Sequence, residues 1–251
     1  MLGQLLPEAI FAFALVFARI GAMVMVLPVF GEQYVQARIR LALALFLSLL
    51  IMPKAGALPP LPASPLMLLP LIGGQVLIGL AIAGIARLTV TALHVAGTII
   101  AVQSGLAVAQ NVDPTQGTQS AVASNFLVLL GTTIIVLSDL HHLLIAALVE
   151  SYRLFPVQGA VPLGDLARLA TGVVADTFAL GLRMAAPFLA FGVVFNVLLG
   201  LMNRLMPVMQ VFFIAMPLQL PLAFLLFALT IGFAITVFLD GFVAALGPLI
   251  P

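Results

Sequence analysis

Apolar residues fill this chain in six blocks: Ala9 to Phe30, Leu41 to Met52, Leu66 to Ala109, Ala121 to Phe155, Leu166 to Met206 and Val208 to Leu246. Nowhere do apolar and polar positions alternate with period two, so the pattern predicts helix throughout. Proline and glycine mark the breaks. PKAGALPPLPASP (53–65) cannot be helical throughout, because proline lacks the N–H and crowds the preceding turn. SDLHH (138–142) interrupts the fourth block, PVQGAVPLGD (156–165) is a turn, and Pro187 predicts a kink in the fifth. As one straight helix the third block would extend about 65 Å, twice a bilayer core. It must therefore kink, turn back or project out of the membrane.

Composition makes the solvent explicit. Of 251 residues, 64% are apolar and 7% charged, against about 25% charged in soluble domains, and mean hydropathy is +1.32. The chain reads as an all-α integral membrane protein in contact with the lipid bilayer. A net charge of +1 offers no basic surface for nucleic acid. The absence of cysteine excludes disulfide and thiolate chemistry. The start, MLGQLLPEAI, lacks the basic region of a cleavable signal, so a retained first helix is expected. A six-span reading puts Lys54, Arg153 and Arg168 on one side and Arg38, Arg40 and Arg204 on the other. That balance gives no positive-inside orientation. Either the span count is wrong or the chain is held partly by partner subunits.

Arg19, Arg87, Asp176, Arg183 and Asp240 lie within apolar runs, where ionisable groups face a bundle interior, an aqueous cavity or a partner. Arg19 has no acidic neighbour in sequence, so its partner comes from elsewhere in the fold or from another chain. Asp176 and Arg183, seven apart, share a helix face and are expected, with Arg19, Arg87 and Arg204, to pair inside the fold or across subunit contacts. A proton relay needs carboxylates clustered at membrane depth, and here they are scattered. Gly79 and Ala83, and Gly192, Asn196 and Gly200, repeat at i+4 and predict close helix packing.

Asp139, His141, His142 and Glu150 invite comparison with a metal site, with Asp139, His142 and Glu150 on one helix face. A closed site needs four ligands and no matching cluster exists elsewhere, so the reading adopted is a polar helix junction at the membrane interface, without metal. SYRLFP then resembles an interfacial helix end, with Tyr152 and Arg153 at headgroup level. No phosphate loop and no nucleophile beside a base is present, so neither an enzyme nor a cofactor is expected.

One stretch departs from the apolar pattern. QNVDPTQGTQS (110–120) has Asp113 as its one charge and Val112 as its one aliphatic residue, and Asp-Pro and Gln-Gly form turns. Ordering such a loop costs about 1–2 kcal/mol per residue of backbone entropy. A neutral polar loop between helical arms fits either a plain connector or a plug that blocks a wide pore and yields at low cost.

QSGLAVAQNVDP (103–114), HHLLIAALVESYRLFPVQG (141–159), GLMNRLMPVMQVFFIAMPLQL (200–220) and FARIGAMVMVLPVFGEQYVQARIRLALAL (17–45) together resemble the FliR/SpaR/YscT-type family of type III export-gate proteins, in its flagellar version. The resemblance covers nearly the whole chain. It implies long kinked helical hairpins packed into a hetero-oligomeric gate with FliP- and FliQ-type subunits. It implies further an FlhB-type subunit at the gate entrance, a place in the bacterial inner membrane at the flagellar basal body, and unfolded flagellar proteins as the substrates. It also implies one helical subunit over 1–251, with N-terminal hairpins over 1–109, a plug loop over 110–120 and C-terminal hairpins over 121–251. Carried over by position, the plug spans about Leu106 to Val122 and includes Gln103, Leu106, Gln110, Asn111, Val112, Asp113, Pro114, Thr115, Gln116, Gly117, Thr118 and Gln119. Ala109, Gln110 and Asn111 stand where the family pattern has bulky apolar residues, which implies a less hydrophobic seal. An injectisome gate subunit, a small-molecule transporter and a purely structural membrane subunit are the competing functions. A transporter would show two similar halves, and no convincing repeat is present.

Overall fold

A computed structural model describes residues 2–56, 59–62, 64–106, 122–159, 162–205 and 211–249. Through them run α1 (Leu2–Val26), α2 (Ala37–Ile51), α3 (Leu68–Gln103), α4 (Val122–Leu137), α5 (His141–Leu154), α6 (Leu163–Leu205) and α7 (Val211–Leu246). The ends follow local chemistry. Pro28 lies just beyond α1 and has no N–H to continue it. Gln36, extended at φ −59° and ψ 139°, presents its carbonyl to the amides of Ile39 and Arg40 and so starts α2. Pro53 turns the end of α2 into a single 3-10 turn, Met52–Lys54.

Between α4 and α5 the chain bends by 75°. The bend falls at SDLHH, where Asp139 takes the left-handed conformation (φ 59°) that aspartate tolerates better than most residues. The amides of His142 and Leu143 then bond the carbonyls of Asp139 and Leu140 at 3.0 Å.

The span count differs from six. Among the described residues four helices are long and apolar enough to cross a membrane, five if the bent α4–α5 pair is one span. With 15 residues, α2 reaches only about 22 Å, short of a bilayer core of about 30 Å. The three-against-three charge balance was therefore counted on a span that α2 does not supply. Over the third block, α3 is one helix of 36 residues, and α6 continues through Pro187 for 43. At about 54 and 65 Å both exceed the hydrocarbon thickness.

The fold divides into two compact units, one of residues 1–88, 135–174 and 242–251, the other of 89–134 and 175–241. In the first, Leu15, Val16, Ile20 and Met23 of α1 are fully buried, and so is Arg19. Arg19 meets no carboxylate among the described residues. Its Nε donates to Gln75 Oε1 and its Nη1 to the Ser151 carbonyl, both at 2.8 Å. Its guanidinium carbon lies 4.3 Å from the centre of the Tyr152 ring. Gln75 in turn donates to the Val157 carbonyl at 3.4 Å, and the Tyr152 hydroxyl to the Val16 carbonyl at 3.2 Å. One cation thus ties α1, α3, α5 and the turn after α5. Tyr152 is 4% exposed, so it is a wall of this site and not a headgroup anchor, because the buried guanidinium needs its ring face. Beside it α1 and α3 touch through backbone: a Cβ on Gly79 would lie 2.5 Å from the Arg19 carbonyl oxygen and 3.1 Å from the Ala22 Cβ.

In the second unit Leu93, Ala96 and Ile100 of α3, Leu127 of α4, Met184, Ala185 and Phe188 of α6 and Phe238 of α7 form the core. Gly97 lies against Ser124, whose hydroxyl is 3.3 Å from both the Thr98 hydroxyl and the His94 carbonyl oxygen.

Arg19→Leu removes a donor from two buried acceptors and is expected to destabilise the chain by about 1–3 kcal/mol. Arg19→Lys should not restore it, since an ammonium cannot reproduce the planar fork over the ring. Thermal melting of the detergent-purified chain checks both; an Arg19→Lys melting curve equal to wild type would contradict the account.

Candidate functional site

The polar stretch leaves α3 at a built junction within the second unit. The helix ends as the Ser104 amide bonds the Ile100 carbonyl at 2.9 Å and the Gly105 amide bonds the Val102 carbonyl at 3.2 Å. Gly105 then takes φ +80°, the left-handed stop that glycine adopts without a Cβ penalty. Gln219 of α7 donates from Nε2 to the Gln103 carbonyl at 3.0 Å. Its Oε1 lies 3.2 Å from where a Cβ on Gly105 would be. Gly192 of α6 faces the Gln103 side chain so closely that a Cβ there would overlap the amide. Three helices therefore meet on residues 103–105.

The other end of the stretch arrives at the same place. Leu106 and Val122, its flanking residues, both line a cavity of about 400 Å³ walled by Phe126, Phe188, Phe224 and Phe227. Phe227 packs edge-on against Phe126 and Phe188, with ring centres 5.9 and 6.2 Å apart. The arrangement is an apolar chamber beside an amide-bonded helix end.

Of the predicted plug residues, Gln103 and Leu106 sit at this junction, while Gln110, Asn111, Val112, Asp113, Pro114, Thr115, Gln116, Gly117, Thr118 and Gln119 lie outside the described residues. The predicted charges separate. Arg19 is buried on neutral partners, and Arg87 forms an ion pair with Glu32 within the chain. Asp176, Arg183 and Arg204 are exposed on α6 and make no ion pair among the described residues. The predicted packing positions separate as well. Ala83 is fully buried, and Gly79 and Gly192 are close approaches, whereas Asn196 and Gly200 are exposed and nothing lies within 4 Å of a Cβ on Gly200. Asp139, His141 and His142 gather at the α4–α5 bend, but Glu150 is taken up by Arg153 of its own helix.

Sequence reasoning passed over Gln75 and Gln219. Both are lone amides inside apolar runs, and attention to uncharged polar groups at membrane depth would have found them. The phenylalanine chamber had no such signal, because its rings come from three separate helices.

Replacing Gln219 by Leu leaves the Gln103 carbonyl without its donor. Amide hydrogen exchange at Ser104 and Gly105 is expected to speed up by up to about tenfold, the worth of one such bond. Unchanged protection there would mean that Gln219 does not hold the helix end.

Comparison with known proteins places the whole chain. Residues 10–245 match the family described as bacterial export proteins, family 1. The chain is 44% identical over 228 residues to the flagellar biosynthetic protein FliR of Caulobacter vibrioides, covering 89% of each. It is 31% identical to that of Escherichia coli over 211 residues, 84% of this chain and 80% of the relative. A more distant relative is the Yop proteins translocation protein T of Yersinia pestis, 26% identical over 229 residues, 90% of this chain and 88% of the relative. A match that runs from the first apolar helix to the last, through every element that forms the junction, shows that this chain belongs to family 1 of the bacterial export proteins.

Proposed function

We propose that this chain, a subunit of the flagellar type III protein export gate, closes the export pore with its 106–122 segment as the plug. The observation that carries the reading is the shared root of that segment. Leu106 and Val122 line one apolar chamber, and the helix before it is fixed by the Gln219–Gln103 bond. A neutral polar segment on such a root blocks ions and small solutes, yet binds no particular substrate strongly. Unfolded flagellar proteins then thread past it outward from the cytoplasm. The chain acts by shape and weak contact and catalyses nothing.

Partners follow from the surface. Only 28% of the apolar stretch of α6 and 17% of that of α7 is buried within the chain, against 44% for α1. Val193, Val197, Leu201, Leu225 and Leu229 are all more than half exposed. Asp176, Arg183 and Arg204 lie on that outward side of α6 with Asn196 and Gly200. Apolar area alone would suit lipid, but charges and a small-residue row suit neighbouring helices. FliP- and FliQ-type subunits are the helices proposed to cover these faces, with an FlhB-type subunit at the entrance. The assembly stands in the bacterial inner membrane at the flagellar basal body. A flagellar role is favoured over an injectisome one by 44% identity to a flagellar relative against 26% to the Yersinia protein.

The test is a strain lacking the chain, complemented either with wild type or with residues 110–120 replaced by a short Gly-Ser linker. Loss of hook-protein export and swimming in the first, and ion leakage in the linker strain, is the expected pair of results. A deletion strain that still swims removes the flagellar role; a linker strain that does not leak removes the plug. A second expectation concerns energy coupling. Asp176→Asn together with Asp240→Asn should leave export at the wild-type level, because both carboxylates are exposed on the chain and neither has another acidic residue within two helical turns in the sequence. Abolished export at normal protein abundance would place proton coupling in this subunit.

A further inference from the structure

We infer that Asp139, His141 and His142 form a binding site for one borderline divalent transition-metal ion of the zinc class at the α4–α5 bend. One ligand atom from each residue lies within 4.8 Å of the other two. Ligand atoms on a common zinc ion stand at most about 4 Å apart, given bonds of 2.0–2.2 Å. The remaining gap closes by rotation of the Asp139 carboxylate, whose side chain is 80% exposed.

The backbone prepares the site. Asp139 sits at φ 59°, and the left-handed turn brings its carboxylate back toward the two imidazoles. His142 Nδ1 lies 3.1 Å from the Asp139 carbonyl oxygen. As an N–H donor there, it leaves the Nε2 lone pair for a metal, the orientation that ligating histidines commonly take. The imidazole of His141 lies alongside, 4.2 Å between ring centres. Its Nδ1 is shielded from water with no hydrogen-bond partner among the described residues, an unsatisfied atom that direct coordination to a cation would satisfy.

Two imidazoles and one carboxylate match zinc, copper(II) or nickel better than calcium or magnesium, which prefer oxygen alone. The first turn of α5 carries a positive partial charge that opposes a cation, and the Asp139 carboxylate offsets it. Three protein ligands leave a position for water or for a donor from a neighbouring subunit. Competing sites are scarce, since the chain has no cysteine and only three histidines, two of them here.

The experiment titrates Zn²⁺ into the full chain, purified in detergent with a tag free of histidine, against a chromophoric chelator. One ion per chain is expected. Asp139→Asn, which keeps a residue tolerant of the left-handed turn, and His141→Ala should each weaken binding by about tenfold or more. Cu²⁺ electron paramagnetic resonance should show two nitrogen donors in wild type and one in His141→Ala. Matching metal-free melting curves for the variants exclude unfolding as the cause. Zinc affinity unchanged in His141→Ala combined with His142→Ala, or a copper spectrum without nitrogen coupling, overturns the site.

Discussion

A guanidinium with no carboxylate partner among the described residues organises the first unit. Arg19 is fully buried in the middle of an apolar helix, where an unpaired ion is among the costliest groups a protein can hold. The surroundings answer with neutral groups: an amide oxygen, a main-chain carbonyl and the face of a tyrosine ring. The amide comes from α3 and the carbonyl and ring both come from α5, so these contacts form only if α1, α3 and α5 are all in place. Gln75 and Tyr152 are themselves bonded onward to Val157 and Val16. The Arg19 Nη2 is buried with no hydrogen-bond partner among the described residues, so the cation depends on its two bonded nitrogens and the ring, and removal of any member leaves a further polar group unsatisfied. Gly79 belongs to the same constraint, because a side chain there would press on the Arg19 carbonyl and part the two helices that hold the ion.

Arg19 also separates two kinds of charge that look alike in sequence. It is consumed inside the chain, as is Arg87 by Glu32. Asp176, Arg183 and Arg204 are presented outward on a helix most of whose apolar stretch is not buried. Outward charge on an apolar helix is unfavourable in lipid and acceptable against another polar or charged helix. The chain thus completes its own interior in one region and leaves the completion of α6 to its surroundings. That division suits a subunit of an assembly better than a free-standing transporter, which would have to satisfy its mid-membrane charges alone.

Much of this was legible in the residues. Helix, membrane and breaks followed from period and proline, and SDLHH broke where its polarity said it would. The span count departs from six at α2, an apolar run whose 15 residues are too short to cross a bilayer core. The partners of Arg19 were illegible for a different reason. Gln75 and Ser151 lie 56 and 132 positions away from it, and neutral groups give no charge pattern to search for. Tyr152 misled in turn, since a tyrosine beside an arginine at a helix end has the signature of an interfacial anchor. Only tertiary packing distinguishes that from a ring turned inward under a buried cation.

The same distinction between local and tertiary information governs the junction at Gln103. The polar stretch announces itself by composition, but composition cannot say where its two ends are rooted. Rooting decides what such a segment is able to do. If its ends lay on separate mobile supports, it would sample a wide volume and neither block nor admit a chain reproducibly. With one end stopped at Gly105, held by Gln219 and pressed against Gly192, and with Leu106 and Val122 lining one chamber, the two flanks of the polar stretch share one root. On the proposed plug role, position would then be set by the amide and phenylalanine root and obstruction by the polar composition of the stretch, so the composition can vary without disturbing the root.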